Sequence, residues 1–318
     1  MGRRGGRGGG VLTFLLILLS LCVCAAGAFA LHYVMTATPG AAAAPEEREL
    51  EPKRFSEYDW DELAEVAQMV ADAPSDEEGE ALAAEWGVAV GDTRPLPLSD
   101  GRQASLTVVG IRCDQLADGS GTAGLTLMTS PISLQPMNDA ASNAGGWEGS
   151  QIRSWLATEG ADLLPEGLAS RVRTVTKSTN NVGVTSDSAS VTQTDDALWL
   201  FSLSEVCGPI DLFANEYGDQ VRARTYYIDY TVYDALLSGE GEQYPLFAQK
   251  GVSCLSDSSG ALALEYGGAP TSWWYRTSYP YTFTGDDAYY FYQAMETGYP
   301  SALGQADQPA GVVVGLCL

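Results

Sequence analysis

The chain contains a single histidine, His32, and it lies in an apolar stretch close to the N-terminus. The sequence that follows therefore lacks the imidazole that Ser-His-Asp and Cys-His catalytic sites, HExxH proteases and ordinary His-containing zinc sites require. Carboxylates, tyrosines, lysines and cysteines remain available, but they form no recognisable catalytic or metal-ligating motif. We therefore expect a protein that is not an enzyme and that holds no metal ion or cofactor.

Paired carboxylates need separate consideration, because two of them suffice for glycoside hydrolysis. The candidates are Asp195-Asp196, Asp286-Asp287 and Glu205, although a chain with 41 acidic residues contains such pairs through composition alone. A carboxylate-dependent enzyme acting on glycans is thus the alternative hypothesis. It requires a deep pocket with two carboxylates about 5 to 10 Å apart.

Aromatic side chains are concentrated near the C-terminus, in residues 273–299. Rings with a polar tip are typical of interfaces and of surfaces that stack against sugars. Tyr279, Tyr281 and Tyr299 stand beside proline or glycine in predicted turns, so we expect these three rings to be exposed. Together with Arg276 they form the predicted ligand-binding surface, with an extracellular glycan or protein as the ligand.

Four cysteines follow the apolar N-terminal stretch: Cys113, Cys207, Cys254 and Cys317. Their even number predicts two disulfides if this part of the chain lies in an oxidising compartment. The spacing does not decide among the three possible pairings, and it contains no CxxC motif typical of a zinc or redox site.

The chain is predicted to begin with an N-terminal membrane anchor. Residues 1–10 contain three arginines and form a predicted cytoplasmic tail, and residues 11–35 carry no charge and are long enough to span a bilayer. The positive flank places the N-terminus inside and the remainder outside. The alternative is a cleaved signal peptide, because Ala28-Phe29-Ala30 fits a cleavage site. Both interpretations export the rest of the chain, and we predict a single-pass protein of the cell membrane.

Charge then limits the partners of the exported part. The whole chain has 17 basic and 41 acidic residues, and three of the basic ones precede the apolar segment. An excess of negative charge this large argues against nucleic acid and anionic lipid as partners.

The composition divides the exported part into three regions. Residues 36–58 are rich in Ala, Pro and Glu and are predicted to be a flexible linker. Residues 59–86 contain two capping-box spacings and form a predicted acidic helical stalk, which either packs on the following domain or stands free. The density of acidic residues falls near Gly87, so residues 87–318 are predicted to be one extracytoplasmic domain.

Inside that domain the patterns are mixed. Residues 104–111 and 198–202 are typical of short strands, and residues 150–156 and 166–175 are typical of helices. Long stretches rich in Ser, Thr, Asn and Gly separate them. The predicted class is α+β with short strands, at least two helices and long loops.

Four segments carry a family resemblance: GGWEGS at 145–150, RSWL at 153–156, WWYRTS at 273–278 and GVVVGLCL at 311–318. Together they resemble the bacterial domain of unknown function 6273 family over about residues 86–318. The resemblance implies a C-type-lectin-like fold, distantly similar to that of formylglycine-generating enzymes, without a known reaction. The last segment lacks the Arg and Pro that the family often has there, so no role of those residues is carried over.

The resemblance identifies Trp147, Arg153, Trp155, Trp273 and Trp274 as structural motif residues. The arginines of these motifs are Arg153 and Arg276. They either form ion pairs, stack on the neighbouring rings or bind a ligand. The Glu-Pro-Asn and Gln-Pro-Asp triplets of calcium-dependent lectins do not occur. The combined expectation is a membrane-anchored binding or interaction module, with a glycan-acting enzyme or a structural cell-surface protein as alternatives.

Overall fold

The structure is a computed structural model that describes residues 50–213, 229–282 and 287–318. Within these residues no helix is both long and apolar enough to cross a membrane, and the predicted anchor at 11–35 lies outside them. Glu51–Leu318 forms one compact unit. Its mixture of helices and several sheets confirms the predicted α+β class.

The described helices are α1 (Trp60–Ala71), α2 (Asp76–Glu85), α3 (Gln151–Trp155), α4 (Glu166–Ala169), α5 (Leu203–Cys207), α6 (Thr231–Ser238) and α7 (Pro245–Gln249). The described strands are β1 (Thr93–Pro97), β2 (Gln103–Ile111), β3 (Leu125–Thr129), β4 (Leu134–Gln135), β5 (Val175–Asn180), β6 (Val191–Asp196), β7 (Trp199–Leu200), β8 (Leu264–Tyr266), β9 (Ala269–Thr271), β10 (Trp273–Ser278), β11 (Tyr290–Ala294), β12 (Ala302–Gln305), β13 (Ala310–Gly311) and β14 (Val314–Cys317).

The first of two five-stranded sheets has the order β1-β2-β3-β14-β7, with every neighbouring pair antiparallel. Every residue of β3 and of β14 is buried, as expected of central strands covered on both faces. The last residues of the chain therefore form part of the core.

The second sheet has the order β12-β11-β10-β13-β4. Its pairs are antiparallel except for β10 and β13, which run parallel. Two separate hairpins, β5 with β6 and β8 with β9, complete the described strands.

Residues of both sheets meet in one hydrophobic core. Val109 and Met128 of the first sheet belong to the same buried cluster as Trp273, Tyr275 and Tyr292 of the second. Full burial of a large apolar side chain contributes about 1.5 to 3 kcal/mol each. This cluster therefore holds the two sheets together.

Helices α1 and α2 were predicted as a stalk, and they pack on the domain. The Asp59 carboxylate caps α1 by accepting from the Glu62 backbone N–H. The Glu62 carboxylate in turn accepts from the Asp59 backbone N–H. The buried face of α1 lies against β3, where a Cβ on Gly124 would be 1.9 Å from the Ala67 carbonyl oxygen. Both helices belong to the compact unit, so the change in charge near Gly87 does not coincide with a division between units.

Two of the predicted elements are shorter than expected. The predicted helix over 166–175 ends at Ala169, because Arg173 N donates to the Cys317 carbonyl and Val175 enters β5. The predicted strand over 198–202 is reduced to Trp199–Leu200, because Ser202 caps α5. Backbone pairing with β14 thus ends the helix, and capping of α5 ends the strand.

The prediction of two disulfides is wrong for this structure, in which all four cysteines are free. Cys317 lies in the central strand β14, where its Sγ faces the Thr126 hydroxyl at 3.6 Å. Cys254 donates to the Asp211 carboxylate at 3.1 Å, and burial raises the pKa of its thiol to about 11. An even cysteine count does not bring two sulfurs into bonding geometry.

Candidate binding site

Two residues of the family motifs around α3, Trp147 and Arg153, donate hydrogen bonds to the same buried carboxylate. Trp147 Nε1 donates to Asp196 Oδ2 at 3.0 Å, and Arg153 Nε donates to Asp196 Oδ1 at 2.7 Å. Thr194 donates a third bond to the same carboxylate. Trp147 is fully buried, whereas Trp155 is half-buried at the end of α3. The motif thus ties the region of α3 to strand β6.

The second motif places Arg276 in the interior with its side chain fully buried. Its guanidinium forms a two-pronged pair with Glu205, with Nη1–Oε2 at 2.5 Å and Nη2–Oε1 at 2.9 Å. The remaining N–H groups bond to Thr179 Oγ1 and to the carbonyls of Leu200 and Glu240, among others. Arg276 is therefore an interior ion-pair residue, and its predicted place on a ligand surface is wrong.

A second cation extends this pair into a network. Lys177 Nζ lies 2.6 Å from Glu205 Oε1 and 2.6 Å from Asp114 Oδ1, and it donates to the Tyr244 hydroxyl at 2.9 Å. We define the buried charge cluster as the following five residues: Asp114, Lys177, Glu205, Glu240 and Arg276. Each is less than one-tenth exposed.

Within the cluster, the pKa values of Glu205 and Glu240 are shifted in opposite directions. Burial raises the pKa of Glu205, but Arg276 and Lys177 outweigh it and hold that pKa below its ordinary value. At Glu240 burial dominates over the charge of Arg276 and raises the pKa to about 7. Glu205 is therefore ionised at neutral pH, whereas Glu240 titrates there.

All members of the cluster except Arg276 line a cleft of ≈ 510 Å³, which Arg112 and Glu242 also line. This cleft could be the deep pocket that the enzyme hypothesis requires. However, Glu205 accepts two bonds from Arg276, one from the Ser202 N–H and one ion pair from Lys177. A carboxylate has about four lone-pair positions. All of them at Glu205 are occupied from within the protein.

The other candidate carboxylates among the described residues also accept hydrogen bonds from within the protein. Asp196 accepts three side-chain bonds, as described above, and Asp195 accepts from the Thr176 hydroxyl at 2.9 Å. Asp286 and the side chain of Asp287 lie outside the described residues.

A second and more open site follows the C-terminal sheet. We define the sheet groove as a depression of ≈ 590 Å³ bordered principally by Leu134, Trp274, Tyr290, Gln293, Leu303 and Gln305. All five strands of the second sheet contribute residues to it. Among its described lining residues, Glu296 is the one that carries a charge.

Trp274 forms the base of the sheet groove. The side chain is 1% exposed, and its Nε1 donates to the Gln135 carbonyl at 2.9 Å. Gly304 on β12 lets the indole lie close, because a Cβ there would be 2.5 Å from the ring. Tyr290 pairs with Gln305 across β11 and β12 and is partly exposed. The groove therefore has a buried indole at its base and amide side chains among its walls.

The three predicted tyrosines differ in burial. Tyr281 is 8% exposed and packs against Tyr233 with ring centroids 5.1 Å apart. Tyr279 is half-buried and stacks on Phe213 at 5.8 Å. Tyr299 is 43% exposed, as predicted. The expectation of an exposed Tyr281 is wrong, because proline beside a ring does not decide whether other rings cover it.

The described part of the chain is thus a mixed α+β domain with a saturated interior charge cluster and an open groove on its C-terminal sheet. Residues 123–318 match the family described as Domain of unknown function (DUF6273), and the chain belongs to this family. Comparison with curated proteins and with solved structures gives no match.

Proposed function

We propose that this protein is an extracytoplasmic binding module, held at the cell membrane by residues 11–35, that binds an extracellular ligand in the sheet groove. The contrast between the two sites is the observation that supports binding over catalysis. Glu205 in the deep cleft has every lone-pair position occupied, whereas the groove is open, aromatic at its base and almost free of charge. A shallow site with a single carboxylate fits recognition, because glycoside hydrolysis needs two.

A C-type-lectin-like fold is part of this proposal. Strands near the two ends of the family region, β3 and β14, pair with each other, and long irregular segments connect the remaining strands. Both features support a fold that closes on itself and presents loops for recognition. The implied distant similarity to formylglycine-generating enzymes concerns architecture and brings no reaction with it.

One observation favours the alternative of a carboxylate-dependent glycan-acting enzyme. Glu205 and Glu240 lie in one cluster with pKa values pushed apart, which is the pattern of a nucleophile and a general acid. A general acid must reach the oxygen that it protonates. Glu240 is fully buried and bonds to the Asn180 N–H and the Thr277 hydroxyl, which supports an interior role instead.

Binding and turnover are tested together. Full-length protein in detergent micelles is applied to a glycan array and to immobilised cell-wall polysaccharide, and the release of reducing ends is followed in the same samples. We expect retention without release, and an unrelated acidic protein of similar net charge serves as the control. Soluble sugar products that depend on the protein would exclude the binding-module proposal.

The anchor is tested by sequencing the N-terminus of the mature protein from membranes. Retention of residues 11–35 is expected, because the uncharged run is long enough to span hydrocarbon. A mature protein that begins at Leu31 would instead support cleavage after Ala30.

A further inference from the structure

The sheet groove is poor in charge on a strongly acidic protein. The chain has a formal net charge of −24, yet Glu296 alone is charged among the described lining residues. The protein as a whole repels a polyanion, and a polycation gains more from acidic surfaces such as the first turn of α2. The groove therefore favours an uncharged ligand.

Its walls combine apolar and amide side chains. Leu134 and Leu303 are 42% and 39% exposed, and the ring of Tyr290 is partly exposed beside them. Gln293 and Gln305 add amide groups that both donate and accept hydrogen bonds. A sugar ring presents an apolar C–H face and hydroxyls that also donate and accept. A purely apolar partner would instead cover these amides without satisfying them.

The groove also crosses the whole second sheet. Residues of β12, β11, β10, β13 and β4 contribute to it, and neighbouring strands lie about 4.8 Å apart, so it crosses roughly 19 Å of sheet. This length suits several linked sugar units rather than one.

We propose that the sheet groove binds an uncharged glycan strand of several sugar units. This inference rests on the proposed binding function and adds the class of ligand. Apolar faces of the sugars pack on Leu134, Tyr290 and Leu303, and their hydroxyls bond to the glutamine amides. The nearly uncharged lining removes the ion pairs that a charged glycan needs.

The test uses full-length protein in detergent and oligosaccharides of matched length that differ in charge. The probes are neutral β-glucan, mannan and chitin oligosaccharides, cationic chitosan oligosaccharides and anionic oligogalacturonates. Affinity is measured by calorimetry at two salt concentrations. We expect at least one neutral probe to bind at least tenfold more tightly than either charged class, with little salt dependence.

Variants then locate the site. Tyr290→Ala and Gln293→Ala are each expected to weaken neutral-glycan binding at least tenfold. Leu255→Ala, which truncates an exposed side chain outside the groove lining, is the control and should change affinity less than twofold. Leu303→Asp places a charge on an exposed groove position and should weaken binding without unfolding the domain.

The outcomes separate the two proposals. Tighter binding of a charged probe, failure of every neutral probe, or neutral binding unaffected by all three groove variants would overturn the uncharged-glycan inference. Retention on cell-wall material without turnover would still support a binding module in those cases. Turnover, or the absence of retention on any glycan or wall fraction, would count against the proposed function itself.

Discussion

Three residues from distant segments of the sequence, Lys177, Glu205 and Arg276, meet in the interior of this domain. Arg276 and Glu205 are both less than 3% exposed, and Lys177 bonds to Glu205 from a second strand. Removal of one partner of a buried ion pair leaves the other charge without compensation, which is far more costly than never having had the pair. The cluster therefore makes the fold depend on a few specific side chains.

Replacing Arg276 is the direct test of this dependence. Arg276→Lys retains the charge but cannot reproduce the two-pronged contact with Glu205, so buried acceptors lose their donors and we expect a loss of about 1 to 3 kcal/mol in the free energy of unfolding. Urea denaturation followed by tryptophan fluorescence measures it. Arg54→Lys alters a fully exposed pair with Glu57 and is the matched control, with an unchanged unfolding midpoint. Equal stability of the two variants would contradict an energetic role for the cluster.

Glu240 predicts a specific dependence of stability on pH. Burial raises its pKa in the folded protein from the ordinary value of 4.5 to about 7. A group with a raised folded pKa contributes stability that is fully present below its unfolded pKa and is lost as the pH rises through the folded pKa. Glu240 therefore favours folding most below about pH 4.5, and this contribution disappears between about pH 4.5 and 7.

Glu240→Gln removes that titration. The stability of the wild type relative to this variant should fall by on the order of 3 kcal/mol between pH 4 and pH 8, since one pKa unit corresponds to about 1.4 kcal/mol. Denaturation of both proteins at several pH values measures the difference. Because Asp114 and Glu205 are common to both, their titration cancels. Identical pH profiles would show that Glu240 does not titrate in this range.

At the scale of the element, helices α1 and α2 are fixed to the domain by Arg112. Its Nη1 donates to the Val70 carbonyl at 3.0 Å at the end of α1, and its Nε pairs with Asp76 at the start of α2. Arg112 adopts φ 55, a conformation that is costly for a residue other than glycine. The contacts with both helices offset that cost.

Gly79 of α2 leaves space for the Arg112 side chain. The effect of substituting this glycine is therefore expected to be opposite to the one that helix propensity alone predicts. A Cβ at Gly79 would lie 2.2 Å from Arg112 Cδ, so Gly79→Ala should destabilise the protein although alanine is the better helix former. In an Arg112→Ala background the same change should stabilise by up to about 1 kcal/mol. Thermal unfolding of the four proteins of this cycle measures the coupling. The same sign in both backgrounds would contradict the proposed contact.

Local signals in the sequence were sufficient for several elements. The two capping-box spacings, which begin at Asp59 and Ser75, correctly predict the starts of α1 and α2, and the pattern over 150–156 predicts α3. Apolar alternation predicts β2 within one residue. These features depend on neighbours within a few positions, so the sequence pattern contains them.

Pairing between distant segments was not predictable in this way. The parallel contact of β10 with β13 and the central place of β14 depend on which strand the chain returns to. The same holds for the site. Lys177 and Glu205 lie in β5 and α5, outside the four segments that carry the family resemblance, and their meeting with Arg276 requires the complete fold. Tyr290 and Gln293 were overlooked, because aromatic content identified the region but not the groove.

At the scale of the whole molecule, charge distinguishes the sheet groove from the rest of the protein. The acidic excess disfavours nucleic acid and anionic lipid, the buried charge cluster is neutralised by its own ion pairs, and the sheet groove is nearly neutral. The central proposal is that a ligand binds in the sheet groove rather than in the cleft.

Hydrogen exchange of full-length protein with and without a retained cell-wall glycan tests this claim most directly, because it locates the bound surface without any substitution. We predict slowed exchange in residues 290–294 and 302–305, the two strands that border the sheet groove. Slowed exchange confined to residues 240–245, at the cleft beside the buried charge cluster, would contradict the account.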